Sequence, residues 1–151
     1  METHGLIIGK FLPPHLGHSY LISTGHAQVD TLTVLICESE TDPIPVRLRE
    51  MWLHQSHPYI TTHILNQDAF DRNDPHAWIE ATQKLIIHKP DWVFSSEEYG
   101  ILYAELLGCS HMMVDKDRVT IPCSGSTIRE NPLQYLEYLE EPVAEYYRTQ
   151  K

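Results

Sequence analysis

The sequence has few of the features that mark membrane, secreted or nucleic-acid-binding proteins. No apolar run approaches the roughly 20 residues of a membrane-spanning helix, and Met1-Glu2-Thr3-His4 lacks the basic start of a signal peptide. The net charge of −10 argues against a general nucleic-acid partner, because such partners are usually bound by a basic face. We therefore expect a cytoplasmic protein that binds neither membranes nor nucleic acids.

Paired cysteines and the familiar glycine-rich loops are also missing. Cys37, Cys109 and Cys123 are widely spaced and form no Cys-x-x-Cys pair, so neither a disulfide framework nor a zinc knuckle is indicated. The chain has no Gly-x-x-x-x-Gly-Lys-Ser/Thr loop and no Gly-x-Gly-x-x-Gly turn. These absences argue against a P-loop kinase and against a dinucleotide-dependent dehydrogenase.

The sequence does contain a regular alternation of apolar strands and amphipathic helices. Short apolar or β-branched runs predict strands at Leu6–Ile8, Thr31–Cys37, Tyr59–Leu65, Trp92–Phe94 and Met112–Val114. Helical patterns lie between them, at 15–27, 46–56, 75–88 and 99–107. This alternation predicts an α/β fold with a doubly wound parallel sheet, which binds ligands at the carboxyl ends of its strands. At 151 residues we expect one domain over 1–151.

The most informative stretch is Gly9-Lys10-Phe11-Leu12-Pro13-Pro14-His15-Leu16-Gly17-His18, directly after the first strand. The glycine permits a sharp turn, and the two prolines delay the following helix until about His15. His15 and His18 would then share one face of the first helical turn, with Gly17 between them placing no side chain in the way of a ligand. Lys10 and the free N–H groups of the helix start add positive potential. The stretch therefore predicts a phosphate-binding turn.

A second candidate phosphate-binding segment is Ser124-Gly125-Ser126-Thr127-Ile128-Arg129. It combines hydroxyl groups at a predicted helix start with a glycine and with an arginine about one turn inside the helix. Backbone N–H groups, hydroxyls and a guanidinium can together bind a pyrophosphate. The alternative is an ordinary helix cap followed by an exposed Arg129.

Both motifs resemble signatures of the nucleotidyltransferase superfamily. The first stretch is similar to its His-x-Gly-His signature, and the Gly-Lys-Phe opening most resembles the NadR-like nicotinamide mononucleotide (NMN) adenylyltransferases. The second segment resembles the Ser-x-Ser/Thr-x-Ile-Arg signature near the C-terminal end of the same superfamily. The resemblance implies a Rossmann-like nucleotidyltransferase fold. It also implies that AMP is transferred from ATP to NMN, which gives NAD and pyrophosphate.

Weaker similarities extend through the middle of the chain. Arg49 would contact a substrate phosphate, as in the arginine-bearing second helix of the family, although a solvated helical arginine is the alternative. Asp71-Arg72-Asn73 with Trp78 resembles the nicotinamide loop, where the tryptophan stacks on the pyridine ring; Trp78 could equally belong to the core. The segment 95–100 resembles the family's segment beside the adenosine, and 114–118 leads into the second motif much as in the NadR-like group.

The resemblance implies a set of site residues. Catalysis would depend on His18, His15, Lys10 and Arg129, with His18 nearest the α-phosphate of ATP. ATP would be bound by Gly9, Lys10, Phe11, His15, Gly17, His18, Ser95, Ser96, Ser124, Ser126, Thr127 and Arg129. NMN would be bound by Ile8, Gly9, Phe11, Arg49, Asn73 and Trp78. No metal ligands are expected, because Mg²⁺ would be carried by the ATP phosphates.

Other interpretations of the same residues remain open at this point. The acceptor could be another phosphate compound, as in phosphopantetheine adenylyltransferases or cytidylyltransferases, and the cleft could instead serve a non-catalytic nucleotide sensor. A zinc site at His15 and His18 lacks a third ligand at recognisable spacing. NadR-like proteins often carry a DNA-binding domain and a ribosylnicotinamide kinase, and we expect neither role from these 151 residues. The aromatic C-terminal tail could pack against a second copy of the chain.

Overall fold

A five-stranded sheet forms the centre of the structure, a computed structural model that describes residues 2–150. Its strands are β1 (His4–Gly9), β2 (Thr31–Glu38), β3 (Thr61–Asn66), β4 (Trp92–Ser95) and β5 (Ser110–Met113). The helices are α1 (Leu16–His26), α2 (Val46–Ser56), α3 (Pro75–Leu85), α4 (Tyr99–Leu107), α5 (Gly125–Glu130) and α6 (Glu141–Thr149). Two 3₁₀ segments, Gln67–Ala69 and Pro132–Tyr138, complete the regular structure of the described residues.

The strands run parallel in the order β3-β2-β1-β4-β5, which confirms the predicted doubly wound sheet. Leu6 of β1 lies between Thr33 of β2 and Val93 of β4. The chain first moves from β1 to β2 and β3, and then returns to the other side of β1 to add β4 and β5. This reversal opens a crevice between the carboxyl ends of β1 and β4, where parallel sheets of this kind bind ligands.

Both faces of the sheet are covered by helices, because successive side chains of a strand point to opposite faces. Ile7 packs on one face with Ile22 of α1 and Leu53 of α2. Leu6 packs on the other face with Ile79 of α3 and Tyr103 of α4. Burial on both faces explains why the strands appear in the sequence as unbroken apolar runs.

The C-terminal segment forms a third apolar cluster beside the first motif. Ile128 of α5 and Val143 of α6 pack with Leu12 of the turn after β1 and with Trp52 of α2. This packing brings the two ends of the chain together. No helix within residues 2–150 combines the length and the apolar content that a bilayer crossing requires.

Most predicted helix boundaries agree with the structure. Helices α2 and α4 have the predicted limits, and α4 is capped by Gly108, whose φ of 77° lies in the left-handed region that glycine adopts readily. Helix α3 ends at Leu85, three residues before the predicted end at His88. Ile86 is already extended there, because the chain needs the residues that follow to reach the start of β4 at Trp92.

Candidate active site

The two sequence motifs lie against each other at the crevice. A side chain at Gly125 would place its Cβ 2.9 Å from the carbonyl oxygen of Leu12, so the approach requires glycine. The guanidinium of Arg129 donates a hydrogen bond to the same carbonyl. Together the motifs line a cavity of about 710 Å³, to which Ser124 and Ser126 also contribute.

The first motif presents its two histidines as a stacked pair with ring centroids 3.7 Å apart. His15 is the N-cap of α1, which begins at Leu16, and its Nδ1 accepts a hydrogen bond from the N–H of Gly17 at 3.0 Å. His18 Nδ1 accepts from the backbone N–H of His15 at 3.1 Å. Since an accepting Nδ1 carries no proton, both neutral rings have their proton on Nε2. The pair therefore offers two Nε2–H donors.

Gly17 is needed for a reason that the sequence did not reveal. A Cβ at Gly17 would lie 2.8 Å from Cε1 and 2.9 Å from Nδ1 of His15, so a side chain would displace the cap itself. Phe11 supports the pair from the other side, with its ring 4.7 Å from that of His18. Phe11 is buried and has a φ of 53°, a strained conformation for a residue other than glycine.

Burial keeps both histidines neutral near pH 7. It lowers the pKa of His15 to about 4, with a further contribution from the positive charge of Arg118. The pKa of His18 lies well below the ordinary value, because of burial first and then the neighbouring His15 and Arg118. Neutral imidazoles donate hydrogen bonds without adding charge, so the pair can contact a phosphate while cations elsewhere balance its charge.

Cationic side chains are concentrated in the cavity although the chain is acidic overall. Lys10, Arg72, Arg118 and Arg129 line it, and within residues 2–150 the lining includes a single carboxylate, that of Glu97. The net charge of the whole chain is −10. This local excess of positive charge favours an anionic ligand.

Arg118 was not among the predicted site residues. Its Nη1 donates to the carbonyl of Cys123 at 3.0 Å, and its Nη2 pairs with Glu97 at 3.3 Å, so it spans the loops that follow β4 and β5. The Asp115 carboxylate shapes the second loop by accepting the backbone N–H groups of Val119, Thr120 and Ile121. The only signal in the sequence was a basic residue close to the end of a predicted strand.

The opposite end of the cavity is largely aromatic. Trp78 and Tyr99 line it, and Tyr99 donates its hydroxyl to the carbonyl of Ile8 at 2.9 Å. Trp78 is fixed by a hydrogen bond from its Nε1 to the carbonyl of Arg72 at 2.9 Å and by an edge contact with Phe70. Aromatic side chains such as these provide a surface on which a flat heteroaromatic ring can stack.

Most of the predicted site residues come together at this cavity. Those that line it are Ile8, Gly9, Lys10, Phe11, His15, Gly17, His18, Asn73, Trp78, Ser96, Ser124, Ser126 and Arg129. Lys10 is held there by an ion pair with Asp42. Burial raises the pKa of Asp42, but the hydrogen bonds from Lys10 and from the Ser39 amide outweigh it and lower the pKa overall.

Arg49 does not reach the cavity, contrary to the prediction that it contacts a substrate phosphate. It is fully buried, with 0% of its surface exposed. Its guanidinium donates to the carbonyls of Lys10, Cys37 and Ile44, and it pairs with Asp42 at 2.9 Å. Since four of its five N–H donors are already used, Arg49 supports the segments that line the site.

Ser95 and Thr127 are likewise absent from the cavity wall, although both were predicted to bind ATP. Ser95 is buried, and its hydroxyl contacts Nε2 of His111 at 2.7 Å and donates to the carbonyl of Glu97 at 2.9 Å. The Thr127 hydroxyl lies 2.8 Å from that of Ser124. Strand pleating turns Ser95 inward and exposes its neighbour Ser96 instead.

The parallel α/β sheet, the histidine turn at its switch point and the basic cavity fit the Rossmann-like nucleotidyltransferase fold that the motifs predicted. Within residues 2–150 there is no group of three or more His, Cys, Asp or Glu side chains that could hold a metal ion. No family model matches the chain. Comparison with known proteins nevertheless connects it to a particular group.

The chain is homologous to NadR. The trifunctional NAD biosynthesis/regulator protein NadR of Escherichia coli (strain K12) is 33% identical over 170 aligned positions, which cover 97% of this chain and 41% of that protein. The chain thus spans about two fifths of the length of this curated relative. The resemblance predicted from the motifs is confirmed.

Solved structures show the same fold. A crystal structure of NadR in complex with NR superposes with a TM-score of 0.72 at 20% identity, over 92% of this chain and 44% of that one. A bifunctional NMN adenylyltransferase/ADP ribose pyrophosphatase from Francisella tularensis, complexed with AMP and a manganese ion, gives a TM-score of 0.71 at 13% identity, over 100% of this chain and 50% of that one.

Proposed function

We propose that this protein is an NMN adenylyltransferase, which transfers AMP from ATP to NMN and releases pyrophosphate. The observation that carries the proposal is the stacked pair of His15 and His18, two rings that line a basic cavity whose wall also includes aromatic side chains. The homology to NadR, named for NAD biosynthesis, supports the same assignment. The adenylyltransferase named among the solved structures supports it as well.

The cavity has room for two anionic substrates placed end to end. ATP would lie with its phosphates between the histidine pair and the segment of Ser124, Ser126 and Arg129. NMN would lie with its ring beside Trp78 and its phosphate directed towards His18. Mg²⁺ would enter as the Mg·ATP complex, because a hard cation is readily carried by triphosphate oxygens.

The reaction requires little covalent help from the protein. A phosphate oxygen of NMN attacks the α-phosphorus of ATP in line, and a new P–O bond forms as the bond between the α-phosphorus and the bridging oxygen breaks. Pyrophosphate leaves with the electrons of that bond. The nucleophile is already an anion, so no general base is needed.

Catalysis would come from positioning and from stabilisation of charge. His18 would donate its Nε2–H to an α-phosphate oxygen as negative charge is redistributed there, with His15 beside it. Lys10, Arg118 and Arg129 would reduce the repulsion between the two substrates and stabilise the leaving pyrophosphate. Each of these side chains lines the cavity.

The proposal is tested by pyrophosphate release from the purified protein with ATP and Mg²⁺. NMN, nicotinate mononucleotide and phosphopantetheine are supplied in parallel as acceptors. We expect release with NMN that is matched by formation of NAD. Release with phosphopantetheine alone would assign a different acceptor, and nucleotide binding without release from any acceptor would favour a sensor.

A further inference from the structure

Ser19 lies directly after His18 in α1, and its hydroxyl connects three helices. It donates a hydrogen bond to a carboxylate oxygen of Glu140, the residue that precedes α6, at 3.0 Å. On its other side, Nε2 of His57, the residue that follows α2, lies 3.2 Å away. The first turn of the helix that carries His18 is therefore joined to the end of α2 and to the start of α6.

The hydrogen bonds around Ser19 run in one direction, which the carboxylate sets. A carboxylate only accepts, so the Ser19 hydroxyl donates to Glu140 and its oxygen is left to accept from His57 Nε2–H. Burial lowers the pKa of His57, against the opposing effect of Glu140, so the ring is neutral near pH 7. Its Nδ1 then has no proton and accepts from the Tyr59 hydroxyl 3.1 Å away. These four side chains form the Ser19 network, in which each of the three protons has an acceptor.

The first turn of α1 has few other anchors. None of its residues, 16–19, is buried, and the buried residues of the helix begin at Leu21. Within the turn, His18 contacts Phe11 and accepts from the N–H of His15, and both partners belong to the same motif. Among residues 2–150, the side-chain hydrogen bonds that connect this turn to the ends of other helices are those of Ser19. Core packing thus fixes the later turns, and the network fixes the first.

Glu140 belongs to the C-terminal segment, which also carries the second phosphate-binding motif. That segment contacts the first motif at another point, where Arg129 donates to the carbonyl of Leu12. Leu12 precedes His18 in the chain and Ser19 follows it, so the C-terminal segment is bonded to the chain on both sides of His18. The two contacts together set the position of His18 relative to the second motif.

Tyr59 extends the network to the other end of α1. Its ring centroid lies 4.0 Å from that of His26, the last residue of the helix, while its hydroxyl contacts His57. Ser19 and His26 are about two helical turns apart. The turn between α2 and β3 therefore contacts α1 near both of its ends, and these contacts resist rotation and sliding of the helix.

We propose that Ser19 is a positioning residue, whose hydroxyl, joined to His57 and Glu140, holds the first turn of α1 so that His18 keeps its position relative to the second motif. This inference rests on the proposed function, in which His18 contacts the α-phosphate of ATP. Ser19, His57 and Glu140 are absent from the cavity wall, so their effect on the reaction is indirect. A displacement of about 1 Å at a reacting centre can cost about 100-fold in rate.

The test measures kcat, the KM values for ATP and NMN, and the melting temperature of Ser19→Ala. Ser23→Ala is the matched control, because Ser23 is an exposed residue of the same helix. We expect Ser19→Ala to lower kcat by about 10-fold, since His18 is less well placed, with both KM values within about threefold of wild type. Ser23→Ala should have wild-type kinetics.

Glu140 tests the network from its other end. Glu140→Ala should reproduce the loss in kcat, whereas Glu140→Gln should recover most of it, because the amide carbonyl can still accept from Ser19. Glu137→Ala is the control, at an exposed position of the 3₁₀ segment that precedes α6. The Glu140 variants decide the question if Ser19→Ala does not fold.

A double-mutant cycle with His18→Asn separates positioning from a general effect on stability. The asparagine carbonyl can accept from the N–H of His15, but the variant has no Nε2–H to position. If Ser19 acts through His18, Ser19→Ala should lower kcat by about 10-fold in the wild-type protein and by less than about twofold in His18→Asn. Equal losses in the two backgrounds would show that Ser19 does not act through His18, and would overturn the inference.

Two further results would overturn the inference and leave the proposed function intact. They are a wild-type kcat in a folded Ser19→Ala protein and a loss confined to the KM values. A wild-type protein that forms product with no acceptor would instead refute the proposed function, and the inference with it.

Discussion

The backbone N–H of His15 donates to Nδ1 of His18 at 3.1 Å, while the His15 ring accepts from the N–H of Gly17 at 3.0 Å. The start of α1 thus uses one nitrogen of each ring, and no hydrogen bond within residues 2–150 uses the other nitrogen of either ring. The helix cap and the proposed phosphate site are built from the same two side chains. The two roles can be separated by a substitution that keeps the hydrogen-bond acceptor for the helix cap and removes the donor for the ligand.

His18→Asn should retain the helix cap and lose activity. The asparagine carbonyl can take the place of Nδ1 as the acceptor for the His15 N–H, but nothing replaces the Nε2–H donor. We expect turnover to fall by about 10²-fold or more, as for loss of a transition-state hydrogen bond, with an unchanged melting temperature.

His18→Ala should lose the same activity and, in addition, about 1 kcal/mol of stability from the missing cap. Steady-state kinetics and thermal unfolding of the two variants distinguish the roles. A folded His18→Asn protein with full activity would contradict the proposed mechanism.

Stability should fall as the pH drops from about 6.5 to about 4, partly because of His15. The pKa of His15 is lowered from 6.5 to about 4 in the folded state, so the unfolded chain binds a proton that the folded chain excludes across this range. The contribution is fully present above pH 6.5. It should amount to roughly 3 kcal/mol on the scale of 1.36 kcal/mol for each pKa unit.

Urea unfolding of wild type and His15→Asn at pH 7, 6, 5 and 4.5 isolates this contribution. The asparagine carbonyl can still accept from the Gly17 N–H but does not titrate, so the variant should have the flatter pH dependence. The lowered pKa of His57 is common to both proteins and cancels, whereas His15→Asn also removes the part of the His18 shift that His15 causes, so the difference reports the histidine pair. Identical pH dependence would mean that His15 does not titrate abnormally.

Arg49→Met should destabilise the fold rather than weaken substrate binding alone. The substitution removes one partner of Asp42 and the Arg49 hydrogen bonds to the carbonyls of Lys10, Cys37 and Ile44. Breaking a buried ion pair in this way costs about 3–5 kcal/mol, or roughly 10 °C in melting temperature for a domain of this size.

Arg47→Met is the matched control for Arg49, because Arg47 on the same helix is exposed and, among residues 2–150, its ion pair is with Glu50. Such a pair contributes about 0–1 kcal/mol. Thermal unfolding and the KM for NMN are measured for both variants. An Arg49→Met protein with wild-type stability and a greatly raised KM for NMN would contradict the structural role. It would instead support the contact between Arg49 and a substrate phosphate that the sequence predicted.

Arg118→Gln should lower kcat/KM by about 10-fold to 100-fold, the effect of losing a charge-assisted hydrogen bond to a phosphate. Lys116→Gln is the control, since Lys116 belongs to the same loop and pairs with Glu98 but does not line the cavity. Steady-state kinetics with ATP as the varied substrate compare the two. Equal effects would show that the loop matters only as a whole.

Local sequence patterns were sufficient for much of the fold. Strand runs, the helix of 46–56 and the stop at Gly108 depend on side-chain periodicity and on backbone preferences within a few residues. The histidine turn was also predicted locally, because a glycine, two prolines and the following helix lie within ten positions of one another. The site at the switch point then follows from the alternation of strands and helices.

Tertiary packing decided which polar side chains face the cavity and which support it. Arg49 was expected at the substrate and is buried beneath it, Ser95 is turned inward to His111, and Arg118 reaches the cavity from a loop far along the chain. Burial and pairing depend on elements distant in sequence, so the sequence determined the fold and the histidine turn, and the packing determined the rest of the site.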